Sequence, residues 1–275
     1  MKYIIFAALA VSLVACNGLD GRPGTPGAPG SAGDAGTPGA TGATGAQGPQ
    51  GVPGTNAPAP YAIYDSIPSP LPYSVVSEGF AATGTSEFGD TIQFAPGTSR
   101  VLQSATVVMV TYGEQPSYVT EMTLKLYDPS DLTNPIAIYP RLVTISARAP
   151  SDPTCPASGG PWAQWRDPSG VCHNGQAFEI VFDLSGTVLP MVPKTIVATV
   201  SYATNATDSS ISANDPVNSL NVGLVVDGTA ASVGTRVGPD AVQSLWMAPT
   251  GALRDSVATD DAWGYHPAIR ITAAP

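Results

Sequence analysis

Apolar and polar residues alternate along many stretches of the chain after residue 90. In the segment EMTLKLY at residues 121–127, Met122, Leu124 and Leu126 are separated by polar residues. Successive side chains of a strand point to opposite faces of the sheet, so this alternation predicts half-buried strands. The same pattern, or a short apolar run bounded by Gly, Pro, Asn or Asp, recurs at nine places: 91–94, 101–112, 121–127, 136–147, 177–184, 195–202, 220–226, 242–247 and 268–272. No stretch has the 3.6-residue apolar period of a helix.

Nine half-buried strands with frequent turn residues predict an all-β fold made of two packed antiparallel sheets. Residues 61–275 are too many for an immunoglobulin module and favour a jelly-roll-like β-sandwich with long loops. We place the sandwich domain at 73–275. Residues 55–72 are proline-rich and predict a stiff hinge and lead-in, because each proline holds the preceding residue in extended geometry.

The N-terminus has the features of an export signal. A single Lys precedes an apolar run from Tyr3 to Ala15, which is shorter than the roughly 20 residues that a membrane-spanning helix needs. The run ends in Leu-Val-Ala-Cys16, which resembles a bacterial lipobox. This resemblance implies that residues 1–15 are a lipoprotein signal peptide and that residues 16–17 are the new N-terminus, with lipid on Cys16. The alternative is an ordinary signal peptide followed by an unrelated cysteine.

A collagen-like tract follows at residues 18–54. Glycine occupies every third position from Gly18 to Gly54, which makes twelve complete G-X-Y triplets. Three chains can wind into a collagen triple helix only if glycine recurs in this phase, since no other residue fits at the axis. The tract therefore predicts a homotrimeric stalk, and a disordered Gly/Pro linker is the alternative.

Composition narrows the class of partner. Charged residues are only 12% of the chain, with 21 acidic against 11 basic residues. An acidic chain without a basic cluster argues against nucleic-acid binding. Two histidines and three cysteines are too few for the common zinc frameworks, and we predict no metal and no cofactor.

Two cysteines remain once Cys16 is assigned to lipid. Cys155 and Cys172 flank a loop rich in Gly and Pro, and in an oxidising compartment they predict a disulfide. The alternative is a metal site in which His173 joins Cys172.

Candidate binding and catalytic residues are few. Trp162 and Trp165 in the disulfide loop, with Tyr118, Tyr139 and Tyr265, are candidates for a sugar-stacking platform, and the alternative is that they cover the core. The carboxylate pairs Glu87/Asp90 and Asp260/Asp261 are candidates for glycoside hydrolysis or calcium binding. The alternative is that each pair lies in a solvated turn and has no functional role. His266 is expected to be a surface or packing residue. No nucleophile motif is present, so we predict that the protein is not an enzyme.

Four segments resemble an uncharacterised family of bacterial extracellular β-sandwich domains. They read DSIPSPLP at 65–72, GFAATGTSEFGDTIQFA at 79–95, CHNGQAFEIVFDL at 172–184 and GYHPAIRI at 264–271. The resemblance implies a β-sandwich fold and an extracellular location, and it implies no activity.

These features combine into a surface lipoprotein with a structural or adhesive role. The chain is expected in the cell envelope, in the outer membrane or at the cell surface, held to the membrane by its lipid. A carbohydrate-binding module on the same stalk, with a glycan or host-surface ligand, is the first alternative, and a hydrolase is the second.

Overall fold

The fold is given by a computed structural model. It describes residues 27–33, 36, 59–114, 116–158, 163–186, 192–204, 216–226, 229–238, 241–245, 253–255 and 265–275. The chain divides into two units, Met1–Gly54 and Thr55–Pro275. In the first unit, residues 27–33 and 36 are exposed and have no regular secondary structure. The predicted signal peptide, Cys16 and the rest of the collagen-like tract lie outside the described residues.

The second unit is built almost entirely of strands. In the described residues they are β1 Tyr61–Asp65, β2 Ser77–Glu78, β3 Thr85–Gln93, β4 Leu102–Thr111, β5 Tyr118–Tyr127, β6 Ala137–Ile145, β7 Trp165–Arg166, β8 Cys172–His173, β9 Gln176–Asp183, β10 Thr195–Tyr202, β11 Leu220–Val226, β12 Thr235–Arg236, β13 Val242–Leu245, β14 Arg254–Asp255, β15 Tyr265–Pro267 and β16 Ile269–Ala273. The described helices are one α-helical turn, α1 Phe80–Thr83, and one 3₁₀ turn, Pro216–Ser219.

The strands form two antiparallel sheets that pack face to face as a β-sandwich. Sheet A contains the order β1-β16-β4-β9, and sheet B contains the order β3-β10-β5-β6. Along the chain these eight strands alternate between the sheets, except that β5 and β6 are neighbours in sheet B. This is jelly-roll connectivity, as the length of the domain predicted. Strands β11–β15 come between β10 and β16 and extend both sheets: β11 and β15 join sheet A, and β12, β13 and β14 join sheet B.

The alternating pattern of β5 has the predicted consequence. Met122, Leu124 and Leu126 are completely buried between the sheets, and the intervening polar residues face outward. Strand β4 differs because both of its faces are buried. Its inner face joins the main core, whereas Val108 on its outer face packs with Ile67 and Leu71 of the proline-rich lead-in. A strand covered on both sides reads as a continuous apolar run, which is what VVMV at 107–110 is.

All nine predicted strands are present, two of them with the predicted bounds (195–202 and 220–226). The predicted domain boundary needs correction, because residues 61–65 form β1, which pairs with β16 inside sheet A. The sandwich therefore begins in the segment assigned to the hinge. Strand β3 is also longer than predicted, since polar residues and Gly89 interrupt its apolar pattern.

Truncation of a core valine tests this packing. Val107 on β4 is completely buried, and Val101, just before β4, is 62% exposed. We expect Val107→Ala to lower the free energy of unfolding by about 1–3 kcal/mol, because it leaves a cavity between the sheets. Val101→Ala removes the same atoms from a solvated position and should change it by less than about 0.5 kcal/mol. Urea denaturation followed by tryptophan fluorescence measures both, and equal losses would contradict the assignment of the core.

Candidate functional site

Cys155 and Cys172 form a disulfide, as the sequence predicted. The bond ties the loop before β7 to strand β8, across 17 positions of the chain. Closing a loop of this size stabilises the fold by roughly 3 kcal/mol in the chain-entropy account. It also removes the alternative metal site, because both sulfurs are bonded to each other and neither is a free thiolate.

Trp165 is buried beside this disulfide. It is 4% exposed, and its indole N–H donates a 3.0 Å hydrogen bond to the carbonyl of Gly175. Strands β7 and β8 place it directly opposite His173, with ring centroids 5.4 Å apart. Trp165 therefore anchors the loop, and its place in the fold does not support the predicted role as an exposed stacking ring. Trp162 lies outside the described residues.

Tyr73 is an exposed aromatic residue beside Trp165. It is 50% exposed and meets Trp165 edge-on, at 6.0 Å between centroids and an interplanar angle of 86°, and its centroid is 6.4 Å from that of His173. We call Tyr73, Trp165 and His173 the Tyr73 cluster. Sequence reasoning missed Tyr73 because it lies in a proline-rich segment with no strand pattern.

The other candidate aromatics belong to the core. Tyr139 is 8% exposed and part of the main core cluster, and Tyr118 and Tyr265 pack against that cluster. They therefore have the alternative role that the sequence allowed, which is to fill the space between the sheets.

Asp167 orients the imidazole of the Tyr73 cluster. One carboxylate oxygen lies 2.9 Å from His173 Nε2, and the other accepts hydrogen bonds from the Ser169 N–H and hydroxyl and from the Val171 N–H. The hydrogen bond from the Ser169 hydroxyl has the largest effect on Asp167, and that from His173 the next largest. Together they hold the pKa of Asp167 well below its usual range. A lowered carboxyl pKa means that these bonds stabilise the fold at neutral pH and lose their effect as the pH falls toward the folded-state pKa.

Ser169, Asp167 and His173 do not have the geometry of a catalytic triad. In a catalytic triad the histidine bonds the serine hydroxyl and takes its proton. Here the hydroxyl of Ser169 and the ring of His173 both bond to Asp167, which lies between them. The arrangement fixes a turn and an imidazole.

A polar groove of about 420 Å³ lies on the outer face of sheet B. We call it the sheet B groove. Its lining is mainly hydroxyl-bearing and charged residues: Ser86, Glu87, Glu121, Thr123, Lys125 and Ser201, with Tyr202, Ala203, Ser244 and Leu245. Antiparallel register explains the set, because Thr123, Ser201, Glu87 and Ser244 lie opposite one another across four neighbouring strands.

Glu87 is the buried acid of this groove. It is 6% exposed and accepts from three donors: Lys125 Nζ at 2.5 Å, the Tyr127 hydroxyl at 2.8 Å and the Thr199 hydroxyl. Burial, together with the nearby Glu87 carboxylate, raises the pKa of the Tyr127 hydroxyl, so that Tyr127 stays a donor. A carboxylate with three donors is a structural anchor for β3, β5 and β10.

Gly89 makes room for this network. A Cβ at Gly89 would lie 2.2 Å from the backbone carbonyl oxygen of Ala198 and 2.5 Å from Thr199 Cγ2. Such distances are far inside van der Waals contact. Only glycine therefore lets Thr199 lie across β3 and reach Glu87.

Asp90 lies on the opposite face of β3 from Glu87. Residues three positions apart on a strand point to opposite sides, so the predicted carboxylate pair does not share one site. Asp90 is 1% exposed and lies 3.1 Å from Nδ1 of His266, which is 2% exposed, so the pair links β3 of sheet B to β15 of sheet A. Burial raises the pKa of Asp90, and the hydrogen bond with His266 opposes this. His266 is a packing residue, as expected, and Asp260 and Asp261 lie outside the described residues.

Comparison with known proteins does not place this chain in a family. Protein-family models, curated proteins and solved structures all give no match to this chain.

Within the described ranges, no helix is long and apolar enough to cross a membrane. Among the same residues, no three His, Cys, Asp or Glu side chains come together as a metal-binding set. The resemblance to the extracellular β-sandwich family stays a prediction.

A double-mutant cycle tests whether Glu87 is a structural anchor. Lys125→Met leaves a buried carboxylate without its cation, and we expect the free energy of unfolding to fall by about 2 kcal/mol. Glu87→Gln in the same chain removes the charge that Lys125 balanced, so the double variant should be more stable than Lys125→Met alone. Urea denaturation of the four proteins measures the coupling. Strictly additive losses would mean that the ion pair contributes nothing to the anchor.

Proposed function

We propose that this chain is a lipid-anchored bacterial surface protein that displays a non-catalytic β-sandwich on a collagen-like stalk, with a structural or adhesive role. The observation that carries the proposal is the Cys155–Cys172 disulfide in the sandwich. Structural disulfides persist in oxidising compartments outside the cytoplasm. The disulfide thus agrees with the export signal at residues 1–15 and with the lipobox that ends at Cys16.

In this proposal the collagen-like tract sets the distance between the lipid anchor and the sandwich. Thirty-seven residues in collagen-like geometry extend about 110 Å, at ~3.1 Å per residue. A stalk of this length would carry the sandwich well clear of a lipid surface. Three linked heads would also add avidity to weak binding, by a factor of roughly 10²–10⁴.

The chemistry of the described residues supports a non-catalytic head. Glu87 has three donors, and Asp90 and His266 are buried between the sheets. His173 and Ser169 are both held by Asp167. Each of these acids, bases and hydroxyls thus has a structural partner that accounts for its position.

Cys16→Ser tests the anchor. The variant has no thiol to accept lipid, so we expect it to leave the membrane fraction and to partition into the aqueous phase of a Triton X-114 separation. The matched control is the Cys155→Ala/Cys172→Ala variant, which keeps Cys16 and should stay in the detergent phase. If Cys16→Ser stays with the detergent, the lipobox interpretation is wrong.

A carbohydrate-binding role is the second candidate, and the exposed ring of Tyr73 favours it. Sugar rings stack on aromatic faces, and a rigid, half-exposed ring next to an imidazole offers both stacking and hydrogen bonding. Trp165 packs edge-on against the Tyr73 ring, and Asp167 holds the imidazole of His173 in place.

Affinity electrophoresis tests this second candidate. The probes are glycol chitin, hydroxyethylcellulose and soluble xylan cast in native gels. We expect one of them to retard the parent protein, and Tyr73→Ala to abolish the retardation. Tyr61, which is 37% exposed elsewhere on the sandwich, provides the control: Tyr61→Ala should still be retarded. Retardation that survives Tyr73→Ala, or retardation by none of the probes, would count against a sugar site at the Tyr73 cluster.

A further inference from the structure

Strand β6 carries a row of exposed apolar side chains on the outer face of sheet B. Ile138 and Leu142 are 55% and 70% exposed, Pro140 between them is also exposed, and Val119 on the neighbouring strand β5 is 62% exposed. Residues two apart on a strand share a face, and Val119 is diagonal to Leu142 in the register of β5 with β6. We call these four residues the β6 stripe.

The stripe is unusual for a solvated sheet edge. Soluble monomers rarely expose contiguous apolar patches larger than a few hundred Å², and natural edge strands are protected by charge or proline. β6 ends sheet B and contains Pro140, which has no N–H to offer an added strand. Pairing by an extra strand is therefore discouraged along the edge, while the apolar side chains remain available. This combination favours contact through side chains on the face of the sheet.

An open crevice adjoins the stripe. It has a volume of about 640 Å³ and lies where β6 of sheet B meets β9 of sheet A. Its lining combines residues 138–141 of β6 with Val181, Phe182 and Asp183 of β9. Val181 is itself 44% exposed. Ile138 and Pro140 belong to the stripe and also line the crevice, so the two form one continuous surface that another molecule can cover.

The sequence of the tract identifies the other molecule. Glycine in every third position from Gly18 to Gly54 serves a structure of three identical chains. Twelve triplets make a short tract for a triple helix that must nucleate by itself, so we expect another part of the chain to bring the three together. Six residues separate Gly54 from Tyr61, the first residue of β1, and the seven Cα–Cα steps between them span at most about 24 Å. Three heads on one stalk are therefore confined near one another, at an effective concentration in the millimolar range.

We propose that the β6 stripe and its crevice are a trimer interface, at which the heads of three identical chains pack around a threefold axis and hold the three tracts together. The stripe and the crevice share Ile138 and Pro140, so three copies that turn this one surface toward a common axis bury it together. The inference rests on the proposed function in one respect, which is that the tract is three-stranded. It adds where on the head the chains meet.

Sedimentation velocity of the unlipidated chain, residues 16–275 with Cys16→Ser, tests the interface. We expect the parent to sediment as a trimer. Ile138→Lys/Leu142→Lys places six ammonium groups at the threefold axis, and we expect it to raise the dissociation concentration by roughly tenfold or more. Val101→Lys/Val171→Lys is the matched control, because both valines are more than half exposed (62% and 52%) and lie outside the stripe. It should remain a trimer.

A cross-linking variant covers the case in which the lysines disturb the fold. Leu142→Cys in the Cys16→Ser chain gives one free thiol beside the intact disulfide. A short bis-maleimide should join two copies of this variant efficiently and should leave Val101→Cys as single chains.

The outcomes separate the parts of the proposal. A trimer that survives the lysine pair, or Leu142→Cys chains that do not cross-link within a trimer, would overturn the interface while the three-stranded tract stands. A parent that is monomeric at every concentration would overturn both. The lipid anchor is tested independently by the fractionation of Cys16→Ser.

Discussion

The structure depends on the burial of two apolar sheet faces against each other. Each sheet of the sandwich has an inner face of Ile, Leu, Val, Phe and Met side chains that water would otherwise hydrate, and apolar burial is the main favourable term in folding. Most other features are consequences of this one. Strand alternation puts polar residues on the outer faces, which is where the sheet B groove and the β6 stripe occur. The long connection between β6 and β9 carries the disulfide, Trp165 and His173, and Tyr73, just after the lead-in, packs against it.

The two outer faces are treated differently. The outer face of sheet A is covered by the proline-rich lead-in, with Ile67 and Leu71 packed on Val108, Val225 and Ala268. The outer face of sheet B has a hydroxyl-lined groove on one side and exposed apolar residues at the β6 edge. The lead-in therefore completes the domain on one face. On the other face, a second molecule would have to do so.

The buried polar groups of the sandwich mainly hold neighbouring strands and the two sheets together. Glu87 joins three strands of sheet B through three donors, and Asp90 with His266 joins sheet B to sheet A. Such groups are costly to bury unless they are paired, and here they are paired. The function proposed above uses the sandwich as a rigid body and places recognition on its surface.

The sequence by itself determined the class of fold, the positions of nine strands and the disulfide. It could do so because alternation along a strand and pairing of two remaining cysteines are local or countable properties. It could not show that β1 belongs to sheet A, since YAIYD is short, lies among prolines and becomes a strand only through pairing with β16. Nor could it distinguish the roles of the aromatic rings: Trp165 is buried and Tyr73 is exposed because of how β7, β8 and the lead-in pack, which no local pattern records. Glu87 and Asp90 lie only three positions apart in the sequence, yet the tertiary structure places one in an outer groove and the other in the core. Residues three apart on a strand face opposite sides, and the second sheet covers only one of those sides.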